Sequence, residues 1–250
     1  MSAALRTIAL EKRFGGLVAT NKVDFTLEHG ARHALIGPNG AGKTTFVNLL
    51  TGVLPATAGQ VLLDGEDVTR LSQQRRARRG LGRTFQINQL FPAMTPVESV
   101  GLAVSERMGG GADFWRSLGA RRDIIGEVLD LLERFRLIDV MDHPTARLAY
   151  GKQRLLELAV ALAGNPRVLL LDEPAAGVPE AERRELLDTL AALPSDVSIL
   201  LIEHDMDLVF SFADRITVLV NGTHFAEGTP GDVMKDPRVR EVYLGEEEHA

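Results

Sequence analysis

Two unbroken runs dominate the hydrophobic pattern of the chain, Val168-Leu169-Leu170-Leu171 and Ser198-Ile199-Leu200-Leu201-Ile202. Neither alternates with charged residues. A strand with one wet face alternates, whereas a strand of a parallel sheet covered on both faces reads as continuous. Each run stops abruptly in polar residues, Asp172-Glu173 after the first and Glu203-His204 after the second. A third buried strand end, Ala34-Leu35-Ile36, runs into a glycine-rich loop. Beyond the loop, Thr45-Phe46-Val47-Asn48-Leu49-Leu50 has the pattern of an amphipathic helix. The carboxyl ends of parallel strands lie on one edge of their sheet, the edge where ligands bind. Three separated segments therefore converge on one predicted site.

The remaining pattern reads as strands first, then a helical stretch, then strands alternating with helices. Val61-Leu62-Leu63 ends at an Asp64-Gly65 turn. From about Leu71 to Leu81, Arg75, Arg76, Arg78 and Arg79 predict a solvated helix face. Between Met94 and Arg147 the periodicity is helical, as in Ile124-Ile125, Val128-Leu129 and Leu131-Leu132. Gly109-Gly110-Gly111 interrupts it as a loop, followed by Phe114 and Trp115 as a local hydrophobic staple or, alternatively, a protein contact surface. Ile216 to Val220, an Asn221-Gly222 turn and Thr223 to Glu227 predict a hairpin. A short helical tail frays at Glu246-Glu247-Glu248.

Composition narrows the class without choosing a chemistry. The 250 residues are 45% hydrophobic and 25% charged, enough for one large α/β domain with a smaller lobe. A formal net charge of −6 disfavours nucleic acid as the main partner. With no cysteine there are no disulfides, thiolate metal sites or cysteine nucleophiles, which fits a reducing compartment. The N-terminus lacks a signal-peptide pattern, and no apolar run approaches the ~20 residues of a membrane helix. Membrane association is therefore expected only through a partner.

Chemistry enters with the loop after Ile36. Gly37-Pro38-Asn39-Gly40-Ala41-Gly42-Lys43-Thr44, followed by Thr45, matches the Walker A spacing. Its glycines let the backbone curl so that successive N–H groups point at phosphate oxygens, which a Cβ would obstruct. Lys43 supplies a cation for the β- and γ-phosphates, Thr44 a hydroxyl for magnesium, and the following helix its positive end. The ligand class is thus a nucleoside triphosphate, ATP in the fuller reading below, with Mg2+. Asp172 is placed to hold that magnesium, and Glu173 to orient and deprotonate a water for attack on the γ-phosphate. Capping the turn at Pro174 is the competing role for the two acids. His204, at the same edge, suits a hydrogen bond to the γ-phosphate or the positioning of Glu173. Gln86, at the entry to the helical stretch, suits ligation of magnesium or of the attacking water.

In order along the chain, the phosphate loop, Gln86, Leu148-Ala149-Tyr150-Gly151-Lys152-Gln153-Arg154, Leu170-Leu171-Asp172-Glu173-Pro174 and His204 resemble the nucleotide-binding subunit of ABC transporters. The resemblance covers nearly the whole chain. It implies a P-loop NTPase (ABC ATPase) core of α/β class with a mainly parallel sheet, an N-terminal antiparallel β subdomain and an inserted helical lobe. Residues 1–86 and 155–250 would form the core and 87–154 the helical subdomain. It also implies that Phe14 stacks on adenine, a residue that pattern alone would place in a core. The Leu148 segment would be the signature motif, with Ala149, Tyr150, Gly151 and Lys152 opening a helix toward the γ-phosphate of ATP held by a second subunit. Relative to the common Leu-Ser-Gly-Gly-Gln signature, Ala149 replaces serine, Tyr150 glycine and Lys152 glutamine. Pro179 stands where an aspartate is usual after Ala176-Gly177-Val178.

These departures, with Arg13-Phe14-Gly15-Gly16-Leu17, Gly82-Arg83-Thr84-Phe85-Gln86, Glu173-Pro174-Ala175-Ala176-Gly177, Ile202-Glu203-His204-Asp205-Met206 and Val242-Tyr243-Leu244-Gly245, are similar to the LivG-type ATPases of branched-chain amino-acid importers. The ATPase of lipopolysaccharide export has a comparable tail and fits less well around Phe14 and Gln86. The resemblance implies ATP hydrolysis coupled to uptake of branched-chain or related amino acids. The partners would be a second copy or a paralogous ATPase, integral membrane permeases and, indirectly, a periplasmic binding protein. The place of action would be the cytoplasmic face of the plasma membrane. Urea or amide uptake and a non-transport nucleotide switch are the alternatives.

Overall fold

In the computed structural model, which describes residues 3–84, 90–109 and 122–247, two long strands come first, β1 (Ala3–Phe14) and β2 (Leu17–Glu28). β3 (Arg32–Ile36) leads through the glycine-rich loop into α1 (Lys43–Thr51). There follow β4 (Ala58–Leu63), β5 (Glu66–Asp67), α2 (Gln73–Ala77) and β6 (Leu81–Arg83). The helical stretch holds α3 (Pro96–Arg107), α4 (Arg122–Arg134), short 3-10 turns at Ile138–Val140 and Thr145–Arg147, and α5 (Tyr150–Ala163). β7 (Val168–Asp172), α6 (Glu180–Ala191), β8 (Ser198–Ile202) and α7 (Met206–Phe212) alternate. The chain then forms the hairpin β9 (Arg215–Val220) and β10 (Thr223–Gly228), and the helices α8 (Pro230–Lys235) and α9 (Pro237–Glu247).

Two compact units result. One takes the residues up to Leu81, Arg167–Glu173 and those from Ser195 onward; the other takes Gly82–Pro166 and Pro174–Pro194. In the first unit β2-β1-β4-β5 form an antiparallel sheet, joined by the Asp64-Gly65 turn, whose residues both have positive φ (50° and 80°). A six-stranded sheet runs β10-β9-β3-β8-β7-β6, with β9, β3, β8 and β7 mutually parallel and only the β9–β10 hairpin antiparallel in its described pairings.

Every residue of β7 and β8 is buried, as continuous apolar runs require. β3 shows why both faces must be apolar. Leu35 packs with Phe46, Val47, Leu49 and Leu50 of α1, while Ala34 and Ile36 pack with Val209, Ile216 and Val218. Burying a side chain of this size contributes about 1.5–3 kcal/mol, so charge is tolerated only beyond the strand ends. The second unit is helical; α3 opens on a capping box in which Thr95 Oγ1 accepts from the Glu98 N–H and Glu98 Oε2 from the Thr95 N–H.

Two readings of the pattern change. The arginine-rich stretch is helical only over Gln73–Ala77, and Arg76 is 2% exposed rather than solvated. Its guanidinium donates to the carbonyls of Leu49 and Leu50 at 2.7 and 2.6 Å, and to those of Thr69 and Leu71. It thereby gives a donor to carbonyls of the last turn of α1, of which Leu49 also accepts from the Gly52 N–H. Phe14, which pattern alone places in a core, is 48% exposed at the end of β1. The tail is helical through Glu247. Gly110, Gly111, Phe114, Trp115 and Glu248 lie outside the described residues.

Candidate nucleotide site

Backbone conformation builds the loop. Gly37, Gly40 and Gly42 have φ of 156°, 76° and 95°, and Gly42 is the N-cap of α1. A Cβ on Gly37 would lie 2.2 Å from the Leu219 carbonyl oxygen and 3.0 Å from the Ala41 Cβ; one on Gly42 would lie 2.5 Å from the Ala19 oxygen. These two glycines are needed to seat the loop on its neighbours, whereas Gly40 needs only its left-handed backbone. The loop is fastened from outside as well. The Gly222 N–H donates to the Ala41 carbonyl at 2.8 Å, and the Gly222 carbonyl accepts from the Asn21 N–H at 2.7 Å. The β9–β10 turn, with positive φ at Asn221 and Gly222, thus clamps the phosphate loop and is itself bonded to β2 through Asn21.

Within the loop Pro38 accepts from the Ala41 N–H, and Lys43 Nζ reaches back to the carbonyls of Gly37 and Pro38. Asn39, Gly40 and Thr44 are exposed, and Thr45 is half-buried in the first turn of α1. Phe14 is exposed at the tip of the β1–β2 hairpin with Lys12 Nζ 5.0 Å from its ring centre.

The strand order β3-β8-β7 carries Ile36, Ile202 and Asp172 to the same edge of the sheet. Asp172 is 4% exposed there. Glu173 leaves the strand with φ 46°, a left-handed conformation that costs a non-glycine residue of order 1–3 kcal/mol. Its N–H donates to the Ile202 carbonyl at 2.9 Å, which helps hold the turn. The result is that its carboxylate leaves the buried strand and comes within 3.8 Å of His204 Nδ1.

A second carboxylate flanks the histidine. Glu203 is buried, accepts from the N–H groups of His204 and Asp205, and places Oε2 3.7 Å from His204 Nδ1. Asp205 then caps α7 through the N–H groups of Asp207 and Leu208. Sequence reading placed Glu203 at the strand end without a role. The available signal was an acid directly after an apolar strand, a position burial seldom permits without partners.

Oxygen donors suit a hard cation. Thr44 offers a hydroxyl and Asp172 a carboxylate, which is the sparse protein share expected for magnesium held mainly by phosphates and water. Among the described residues no cluster of three His, Cys, Asp or Glu is arranged for a metal held by protein alone. Gln86 lies outside the described residues.

In the second unit, Ala149 is the N-cap of α5 and makes no side-chain cap bond. The Tyr150 hydroxyl donates to the Ala176 carbonyl at 3.2 Å, the Gly151 N–H to Glu182 Oε2 at 2.6 Å, and Lys152 Nζ lies 3.3 Å from Glu185 Oε1. Arg154 is buried, pairs with Glu157 at 2.8 Å and lies over the Tyr150 ring. Burial pushes the Glu157 carboxyl up despite that pair. The Lys152 ammonium is held both by Glu185 of α6 and by the Arg136 carbonyl, to which it donates at 2.5 Å. Glu182, which has no place in the motif pattern, turns out to be the partner of the segment's glycine; its only sequence signal is an acid in the first turn of the next helix.

Similarity to known proteins runs the same way. A family profile described as ABC transporter matches residues 20–176, and one described as branched-chain amino acid ATP-binding cassette transporter matches residues 224–249. The chain is 41% identical over 251 residues to the high-affinity branched-chain amino acid transport ATP-binding protein BraF of Pseudomonas aeruginosa, covering 97% of this chain and 98% of that one. Identity to the corresponding LivG protein of Escherichia coli is 41% over 254 residues, covering 98% and 100%. Among solved structures, an ATP-binding cassette of an ABC transporter in its ADP conformation aligns with a TM-score of 0.82 at 32% identity, covering 98% of this chain and 99% of that one. A nucleotide-free ATP-binding cassette aligns with a TM-score of 0.82 at 31% identity, covering 97% and 99%.

Proposed function

The chain belongs to the ABC transporter ATP-binding family, and from that premise we propose that it is the ATP-hydrolysing subunit of an importer of branched-chain or related amino acids. The observation that carries the hydrolytic part is the meeting of Glu173 and His204 beside the phosphate loop. The substrate class rests on the branched-chain amino acid relatives.

ATP with Mg2+ supplies the transferable γ-phosphoryl group and a cation that offsets its charge. The loop N–H groups from Asn39 to Thr45 and the Lys43 ammonium bind the phosphates, and Phe14 offers an exposed ring for adenine. Thr44 and Asp172 would hold the cation, with Gln86 as a further oxygen donor. Glu173 takes the proton of the attacking water, so that its oxygen adds to phosphorus as the bond to the β-phosphate oxygen breaks, leaving ADP and phosphate. His204, held by Glu203 and the capped start of α7, orients Glu173 and donates to the departing phosphoryl group.

Ala149, Tyr150, Gly151 and Lys152 are assigned to the nucleotide of a second ATPase subunit, either this chain or a paralogue. Two nucleotides would close such a pair and hydrolysis would reopen it. The helical second unit would pass that movement to integral membrane permeases fed by a periplasmic binding protein. Among the described residues no helix is long and apolar enough to cross a membrane, which fits attachment at the cytoplasmic face through those permeases.

Replacing Glu173 by Gln keeps the side chain's shape and removes its basicity. The variant is expected to bind ATP as tightly as the parent and to hydrolyse it about 10²–10⁴-fold more slowly. A steady-state phosphate-release assay reads this, and hydrolysis at the parental rate would remove Glu173 from the role.

A further inference from the structure

The helix that begins at Tyr150 is capped by a residue from another helix. Ala149 holds the extended backbone of an N-cap (φ −55°, ψ 150°), and its methyl group has no acceptor. A serine or threonine at an N-cap turns its oxygen to the N–H of the second or third helical residue. The second helical residue here is Gly151, and its N–H is taken at 2.6 Å by Glu182 Oε2 from the first turn of α6. A Cβ on Gly151 would lie 2.5 Å from that oxygen and 2.9 Å from the Glu182 Cβ, so the approach requires glycine. On either side, the Tyr150 hydroxyl bonds the Ala176 carbonyl and Lys152 is paired with Glu185.

We propose that Glu182 is the positioning residue of the Ala149–Lys152 segment, supplying across the α5–α6 contact the cap that Ala149 lacks. The proposal rests on the reading above that this helix start serves the γ-phosphate of ATP on a second subunit. A carboxylate suits the place twice over, as acceptor for an N–H without a helical partner and as a negative charge at the positive end of α5. With the cap removed, the first turn frays and only part of the population presents its N–H groups in order. Apparent nucleotide affinity falls by that fraction.

The test uses the purified full-length chain and the variants Glu182→Ala, Glu182→Gln, Ala149→Ser and the double variant Ala149→Ser/Glu182→Ala. Hydrogen exchange of the 149–153 segment is read without nucleotide, and half-saturating ATP is read in steady-state hydrolysis. Glu182→Ala is expected to speed exchange in that segment selectively and to raise half-saturating ATP about five-fold, the scale of a lost cap. Glu182→Gln, whose amide oxygen still accepts, stays within about two-fold. The hydroxyl introduced at position 149 restores both quantities in the double variant.

Unchanged exchange in Glu182→Ala overturns the proposal, as does a double variant no better than Glu182→Ala. A fall in half-saturating ATP also overturns it, because Glu182 would then be competing for the site. If Glu182→Ala does not fold, recovery of folding in the double variant supports the proposal and failure to recover counts against it. A parent chain that hydrolyses no ATP would defeat the functional reading alone, since the exchange comparison still decides the cap.

Discussion

Glu173 and Gly222 illustrate how single residues set this site by conformation rather than by charge alone. The left-handed turn at Glu173 takes a carboxylate out of a buried strand and toward His204. Gly222 has φ 71°, and a Cβ there would lie 2.6 Å from the Ala19 oxygen while its own N–H holds Ala41 of the phosphate loop. Gly222→Ala is therefore expected to destabilise the fold by about 1–3 kcal/mol and to weaken nucleotide binding, although the position lies outside the Walker A pattern. Chemical denaturation and a fluorescent-nucleotide titration read the two effects; intact affinity in a folded variant would show that the clamp is dispensable. The placement of the phosphate loop, Asp172, Glu173 and His204 at one sheet edge was legible in the sequence because spacing and strand-end position follow from local chemistry. Glu203, Glu182 and the Gly222 clamp were not, because each acts through a partner set by tertiary packing.

At the scale of elements, continuous apolar runs and Asn-Gly or Asp-Gly turns were enough to read β7, β8, the end of β4 and the β9–β10 hairpin. The arginine-rich helix misled because four similar side chains carry no sign of which one turns inward. Arg76 enters the notch beside Gly52, where a Cβ would lie 2.9 Å from its Nε, and places its charge at the negative end of α1. Arg76→Ala leaves the carbonyls of Leu49 and Leu50 without this donor and is expected to lower stability by about 1–3 kcal/mol, measured by chemical denaturation. A loss no larger than that of Arg75→Ala, an exposed neighbour, would contradict the cap.

β3 brings a pH dependence. His33 is 1% exposed, bonded to Thr217 Oγ1 at 2.8 Å and packed against Phe25. Burial lowers its pKa from 6.5 to about 4, opposed by the Glu227 carboxylate and assisted by Arg215 and His224. The unfolded chain then binds the proton first, so stability is full above pH 6.5 and falls as pH drops toward 4, by on the order of 2–3 kcal/mol. His33→Gln is expected to flatten that part of a stability–pH curve. An unchanged slope between pH 6.5 and 4.5 would place the acid sensitivity elsewhere.

For the whole molecule, the two units divide the expected chemistry. The first carries the phosphate loop, Asp172, Glu173 and His204; the second carries Ala149 to Lys152, whose contacts described here are with neighbouring residues of its own unit. On the proposed reading each subunit supplies half of two nucleotide sites, and the assembled site exists only while ATP bridges two subunits. That relation is what the resemblance implies, whereas the manner in which α6 supports the second half was not legible in the sequence. The most direct measurement is the mass of the Glu173→Gln variant by light scattering, with and without ATP and Mg2+. A monomer is expected without nucleotide and, with ATP, a stable dimer of two copies or of one copy with an added paralogous ATPase subunit, reversed by ADP. A variant that binds ATP and pairs neither with a second copy nor with the paralogous ATPase subunit at any concentration tested would contradict the claim that this chain carries both halves.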